Sequence, residues 1–175
     1  MDEITTAPSR AQNLPGLKAI ADLVVDVDHV AIAVEDLETA VSWYESLGFT
    51  AVERRLTEGE HTSMISEVMK AGRVVIVLLQ GTSPRSQISR FIEHFGAGIQ
   101  HLALEVSDLD AALARVRDAG GVAEALSQDE GIRQAFLRRE PGSGVRVELI
   151  ERRGGAFTDS SVRQLFLAFE RQDLY

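Results

Sequence analysis

Of the four histidines in this 175-residue chain, two carry the strongest chemical signal because of where they recur. HVAIAVEDLETAVSWYESLGF begins at His29 and HLALEVSDLDAALARVRDAGG begins at His101; aligned without gaps, the two runs share His, Ala, Val, Asp, Leu, Ala and Gly at matching positions. An internal repeat places matching residues opposite one another across a pseudo-twofold axis, so both imidazoles are expected to face one central space. A third candidate is Glu148, in the apolar run VRVELIER, where a carboxylate is costly unless it is paired or bound to a cation. Two imidazoles and one carboxylate suit a divalent ion that keeps positions open for a ligand or for oxygen, the arrangement of non-haem iron(II) oxygenases. The chain has no cysteine, which removes thiolate metal sites, disulfides and cysteine nucleophiles together. His61 and His94 have no repeat partner. His94 is expected to be solvated and His61 to be an ordinary residue at a strand start.

The elements that must position these groups follow from the same repeat. Each copy reads as a strand starting at its His, a turn, an amphipathic helix and a glycine stop. Asp36 and Asp108 stand where a side chain can cap the helix. Leu37, Ala40, Val41 and Tyr44 mark one helical face, and Leu109, Ala112, Leu113 and Val116 mark its counterpart. Strand-like segments follow at 49–54, 62–69 and 74–79, and again at 122–125, 132–137 and 145–150, with Gly72, Gly142 and Gly144 at hairpins. Strand alternation puts Ala31 and Ala33 on the face of His29, and Ala103 and Glu105 on that of His101, leaving room for a small molecule. SQISRFIEHFG reads as a connecting helix over 86–96, and SSVRQLFLAFER (Ser160 to Arg171) lies in a terminal helix over 159–171 whose stripe of Val162, Leu165, Phe166 and Phe169 packs on the body. The expected fold is α+β: two tandem βαβββ modules, about 26–80 and 98–151, forming a cupped mixed sheet around a metal site, closed by the C-terminal helix. Residues 1–25 read as a partly flexible leader, and 26–175 as a single domain.

Composition narrows the classes. Hydrophobic residues make up 45% and charged residues 26%, the balance of a soluble globular protein. A net charge of −9 argues against nucleic acid and against an anionic membrane surface. The polar, acidic start MDEITTAPSR lacks the apolar stretch of a signal peptide, so a cytoplasmic location is expected.

The repeat with His, His and Glu at these places resembles the vicinal-oxygen-chelate superfamily, and within it the catalytic C-terminal half of 4-hydroxyphenylpyruvate dioxygenase. SQISRFIEHFGAGIQHLAL (Ser86 to Leu104), VRVELIERRG (Val145 to Gly154), the tail AFTDSSVRQLFLAFER and the strand GEHTSMISEVM carry the likeness. The resemblance implies that His29, His101 and Glu148 are ligands of Fe(2+), a site that also accepts Co, Ni, Mn or Zn. It implies that Gln134 faces the substrate, that Ser63 lies on a strand lending polar groups to the pocket, and that Phe157 packs against substrate beneath the closing helix. The implied reaction is oxidative decarboxylation and oxygenation of a 2-oxo acid by O2, and a homodimer is a possible assembly. The pocket departs from the family pattern: Val162 replaces an aromatic, Leu79-Gln80 stands where an asparagine is usual, and the hairpin between Ala125 and Ile132 is short. A substrate other than 4-hydroxyphenylpyruvate follows. Two alternatives remain, a metal-dependent epimerase like that for methylmalonyl-CoA and a non-enzymatic binding or resistance protein. Val and Leu in VVIVLL, in place of a Gln or Glu ligand, and a serine on the strand that should carry the base count against the first. Retention of all three ligands counts against the second.

Overall fold

The structure, a computed structural model, describes residues 20–140 and 142–175. The first module comprises β1 (Val24–Ala33), α1 (Leu37–Ser46), β2 (Thr50–Glu58), β3 (Ser63–Ala71) and β4 (Val74–Gly81). After α2 (Gln87–Phe95) the order repeats as β5 (Gly98–Val106), α3 (Leu109–Asp118), β6 (Ala123–Asp129), β7 (Ile132–Leu137) and β8 (Arg146–Arg152), and α4 (Asp159–Arg171) ends the chain. All eight strands join one mixed sheet in the order β2-β3-β4-β1-β5-β8-β7-β6. The expected α+β fold of two βαβββ units is therefore present. β1 pairs with β4, and β5 with β8, in parallel, while β1 and β5 meet antiparallel at the centre.

That central pairing carries the pseudo-dyad. Val30 lies opposite Leu102, His29 opposite Ala103 and Ala31 opposite His101. Each pair exchanges positions under the same 72-residue offset that separates the two histidines. The helices begin as their sequences require. Asp36 accepts the Thr39 amide at 2.7 Å and Asp108 accepts the Ala111 amide at 2.9 Å. A second, matching cap comes from the last strand of each module: the Leu37 amide donates to Gln80 Oε1 and the Leu109 amide to Glu151 Oε2. Leu37 and Val41 bury one face of α1, and Leu109, Ala112 and Val116 that of α3.

Helix α4 packs on both β2 and β6, the two edge strands. One helix can touch both edges only because the sheet curls into a half-barrel, so α4 spans its open side. Leu165, Phe166 and Phe169 turn inward from it, as the stripe predicts, and Thr158 and Ser161 close its first turn with a reciprocal capping box.

Several boundaries differ from expectation, among them the ends of β2, at Glu58 rather than 54, and of β6, at Asp129 rather than 125. β1 begins at Val24 and β5 at Gly98, before their histidines, because Val24 finds a partner in Val106 at the far end of the ladder. The expected leader, 1–25, lies outside the described residues as far as residue 19. From Ile20 the chain belongs to the core, where Ile20, Leu23 and Val24 pack with Val106, Leu109 and Val116. Among the described residues, no helix is long and apolar enough to cross a membrane.

Candidate metal centre

β1, β5 and β8 lie side by side in the sheet and bring His29, His101 and Glu148 to one point. The two Nε2 atoms stand 3.1 Å apart, and Glu148 Oε2 lies 3.6 Å from His29 Nε2 and 3.4 Å from His101 Nε2. Donors held about 2.1 Å from a common divalent ion stand roughly 3.0–3.6 Å from one another, so the spacing fits such an ion. All three residues are buried, with Glu148 only 2% exposed. Burial, with the nearby Asp28 charge, pushes the Glu148 carboxyl well above the usual carboxylate range, and Arg152 only partly opposes this. Burial also drives His101 well below the usual imidazole value, reinforced by His29 and by the guanidinium groups of Arg139 and Arg146. A cation among the three donors turns this desolvated cluster into a set of favourable contacts.

The outer nitrogen of each imidazole has its own partner. His29 Nδ1 lies 2.9 Å from Asp28 Oδ1, and His101 Nδ1 contacts Gln100 Oε1. With Nδ1–H donating to these oxygens, each Nε2 is left as a lone pair facing the centre. Asp28 and Gln100 are repeat mates, and sequence reading missed both. Strict alternation sends the side chain before each histidine to the opposite face. The β1–β5 register slips between Val27 and His29, and again between Ala31 and Ile32, so that Asp28 on β1 and Gln100 on β5 are extra residues without an opposite partner. Such bulges re-aim a side chain beside a site. The only signal in the sequence was a polar residue directly before each histidine.

Arg152 grips Asp28 with two hydrogen bonds, 2.5 Å from Nε to Oδ2 and 3.0 Å from the terminal nitrogen to Oδ1. Burial by itself would raise the Asp28 carboxyl, but hydrogen bonds from His29 and Arg152 outweigh it and hold the group well below the usual carboxylate range.

The three donors line an open cavity between the sheet and α4, whose empty space is about 810 Å³ with adjoining solvent included. Its wall is mostly apolar, including Met64, Val68, Val77, Leu79, Phe136, Phe157 and Phe169. Gln134 lies on this wall at 1% exposure. Its Nε2 donates to Ser127 Oγ at 3.0 Å, while its Oε1 has no hydrogen-bond partner. Phe157 also lines the cavity, its ring edge-on to His29 with centroids 5.5 Å apart. Ser63 is a correction. Its hydroxyl pairs with Thr82 and it does not line the cavity; β3 turns Met64, Ser66 and Val68 inward instead. Both parities of SMISEVM carry apolar residues, so alternation alone cannot choose between them. Val162, expected to stand where an aromatic is usual, is on the wall. His61 and His94 are exposed and remote from the cluster.

Curled mixed sheet, tandem modules and a buried His-His-Glu cluster define a class of metal-site scaffold, and sequence comparison names it. The family model described as Glyoxalase/Bleomycin resistance protein/Dioxygenase superfamily matches residues 26–149, and the chain belongs to that superfamily. It is 32% identical over 100 residues to the 4-hydroxyphenylpyruvate dioxygenase of Pseudomonas aeruginosa, a match covering 54% of this chain but 28% of that one. It is 33% identical over 128 residues to the ethylmalonyl-CoA/methylmalonyl-CoA epimerase of Cereibacter sphaeroides, covering 70% of this chain and 95% of that one. A triple mutant of 4-hydroxymandelate synthase from Streptomyces coelicolor superimposes with a TM-score of 0.76 at 23% identity, over 86% of this chain and 55% of that one. The chain thus spans well under a third of the dioxygenase it matches and nearly all of the epimerase.

Proposed function

We propose that the chain is a mononuclear iron(II) dioxygenase that oxidatively decarboxylates and oxygenates a 2-oxo acid other than 4-hydroxyphenylpyruvate. The observation that carries this reading is a three-donor cluster opening onto an apolar cavity to which the described residues bring no carboxylate free to act as a base. Besides Glu148, the only acid on the cavity wall among the described residues is Glu53, and it is ion-paired to Arg55. Carbon-acid epimerisation needs a positioned carboxylate beside the substrate. The inward residues of β3 are Met64, Ser66 and Val68, none of which serves.

His29, His101 and Glu148 would hold the ion, which supplies the activation of O2 when bound. Everything else falls to the chain. Three protein donors leave room for a chelating carboxylate and keto group and for O2. The apolar wall excludes water from the reacting end. Gln134 Oε1, buried and unpartnered, orients a hydrogen-bond donor on the substrate. Phe157, resting on the His29 ring, covers the side of the site beneath α4.

The test is to load the purified protein with iron(II) under anaerobic conditions and to screen 2-oxo acids for coupled O2 uptake and CO2 release. Stoichiometric uptake and release with one acid is the expected result. Deuterium exchange from solvent into an acyl-CoA without O2 uptake would select the epimerase instead. Ligand binding indifferent to chelator, with neither activity, would select a binding protein.

A further inference from the structure

The two histidines are repeat mates, but their supports are not alike. Gln100 is neutral and stands beside His101. Asp28 is charged, half-buried and held by the bidentate fork of Arg152. The same guanidinium donates to the Gly155 carbonyl at 3.0 Å and lies over the Phe157 ring, 4.8 Å from its centroid. The other side of that wall is closed by the edge contact between Phe157 and His29. Arg152, Asp28, His29 and Phe157 therefore form a closed ring of contacts around one imidazole. The backbone at Gly155 has its own anchor, its amide donating to the Gly131 carbonyl at 3.0 Å. Arg152 is thus not the only tie on the segment. Its remaining task is the orientation of two groups, a carboxylate and an aromatic ring.

We propose that Arg152 is a positioning residue for the metal centre: through Asp28 it sets the angle and tautomer of the His29 ring, and through Phe157 it ties that ring to the cavity wall. The proposal rests on the reading of His29, His101 and Glu148 as metal ligands, and it assigns metal affinity to a residue whose side-chain hydrogen bonds go to Asp28 and Gly155 rather than to any of the three. Arginine suits the task and lysine does not. A planar fork engages both carboxylate oxygens and a carbonyl at once and stacks on a ring, whereas an ammonium does one of these at a time. Residues that orient a metal-bound imidazole from behind typically change metal affinity by about 10–100-fold.

The experiment is calorimetric titration of the metal-free full chain with Co(2+) alone, for wild type, Arg152→Ala, Arg152→Lys, Asp28→Asn, Asp28→Ala and the double variant Asp28→Ala/Arg152→Ala. Melting curves in chelator establish which variants fold. The expected results are a loss of about 10–100-fold in affinity for Arg152→Ala, only partial recovery in Arg152→Lys, and a double variant no weaker than Asp28→Ala. The absorption bands of bound Co(2+) should shift in Arg152→Ala, as a reoriented imidazole requires. Wild-type affinity in Arg152→Ala, or losses that multiply in the double variant, overturns the proposal. Should Arg152→Ala fail to fold, Arg152→Lys and Asp28→Asn carry the test, and unchanged affinity in both overturns it. Absence of Co(2+) binding by the wild type would instead remove the metal reading beneath it.

Discussion

The two modules share one ladder of strands and one pair of histidines, yet they contribute unequally to the site. Ala31 stands beside Val77 in the first module, and its repeat mate Ala103 stands beside Glu148 in the second. The position that offers a carboxylate on β8 thus offers a valine on β4. In the same way Gln134, paired with Ile150 on β8, matches Ser66, paired with Leu79 on β4. Both valine and serine face the cavity. Symmetry brings the imidazoles together, and its failure at Val77 leaves one side of the cluster without a protein donor. A fully symmetric site would surround an ion with two imidazoles and two carboxylates and leave less of it for substrate.

The largest effect expected from breaking this comparison is removal of the second module's unique donor. Glu148→Ala, like His101→Ala, should lower metal affinity by more than about 100-fold, beyond the range of outer-shell partners. Metal content after dialysis checks it, and unchanged content would remove that residue from the ligand set. Restoring symmetry with Val77→Glu should retain or tighten Co(2+) binding and, on the dioxygenase reading, abolish O2 uptake, read by calorimetry and an oxygen electrode on one preparation. Uptake at the wild-type rate would show that the open side is not where reactants bind. A smaller effect is expected from Gln134→Leu. Loss of one neutral hydrogen bond, worth about 1–1.5 kcal/mol, should raise KM for the 2-oxo acid about tenfold, and Ser66→Ala should do less.

The smallest effect concerns the lid. Glu170 on α4 accepts the amides of Glu60 and Thr62, at 2.6 and 2.8 Å, and the Thr62 hydroxyl, tying the helix to the turn between β2 and β3. Gly59 leaves room for it, since a Cβ there would fall 2.2 Å from the carboxylate. Partial burial would raise the Glu170 carboxyl, but the Thr62 and backbone hydrogen bonds outweigh burial and lower it. A lowered folded-state value means the contact stabilises the closed helix above the ordinary glutamate range, near about 4.3, and that this contribution is lost as pH falls through the folded value. Protection of the α4 amides, with the intrinsic pH dependence of exchange divided out, should therefore fall at acid pH in wild type and be lower already at neutral pH in Glu170→Gln. A pH-independent exchange ratio between the two would count against this assignment.

Much of this was legible in the residues. The helices, their aspartate caps and the two histidines are local or repeat-encoded: a cap needs one carboxylate beside a few amides, and a gapless repeat sets the histidines as equivalents. Glu148 has only Val77 as its counterpart and was legible instead as a carboxylate in an apolar run. What lay beyond reach depended on the partner strand. Ser66 rather than Ser63 faces inward because the hairpin register, not the composition of β3, selects the parity. Asp28 and Gln100 support the imidazoles because two bulges displace them from strict alternation.

Residue types and the repeat thus pointed to the two histidines, to one candidate carboxylate and to the modular order. Only the tertiary structure decided that Arg152 reaches across 124 residues to Asp28, that Val77 stands where a second carboxylate would, and that α4 bridges both sheet edges. The reason is that each of these is a distance between chain segments far apart in sequence, set by the curl and register of a ladder formed only when the two modules pair.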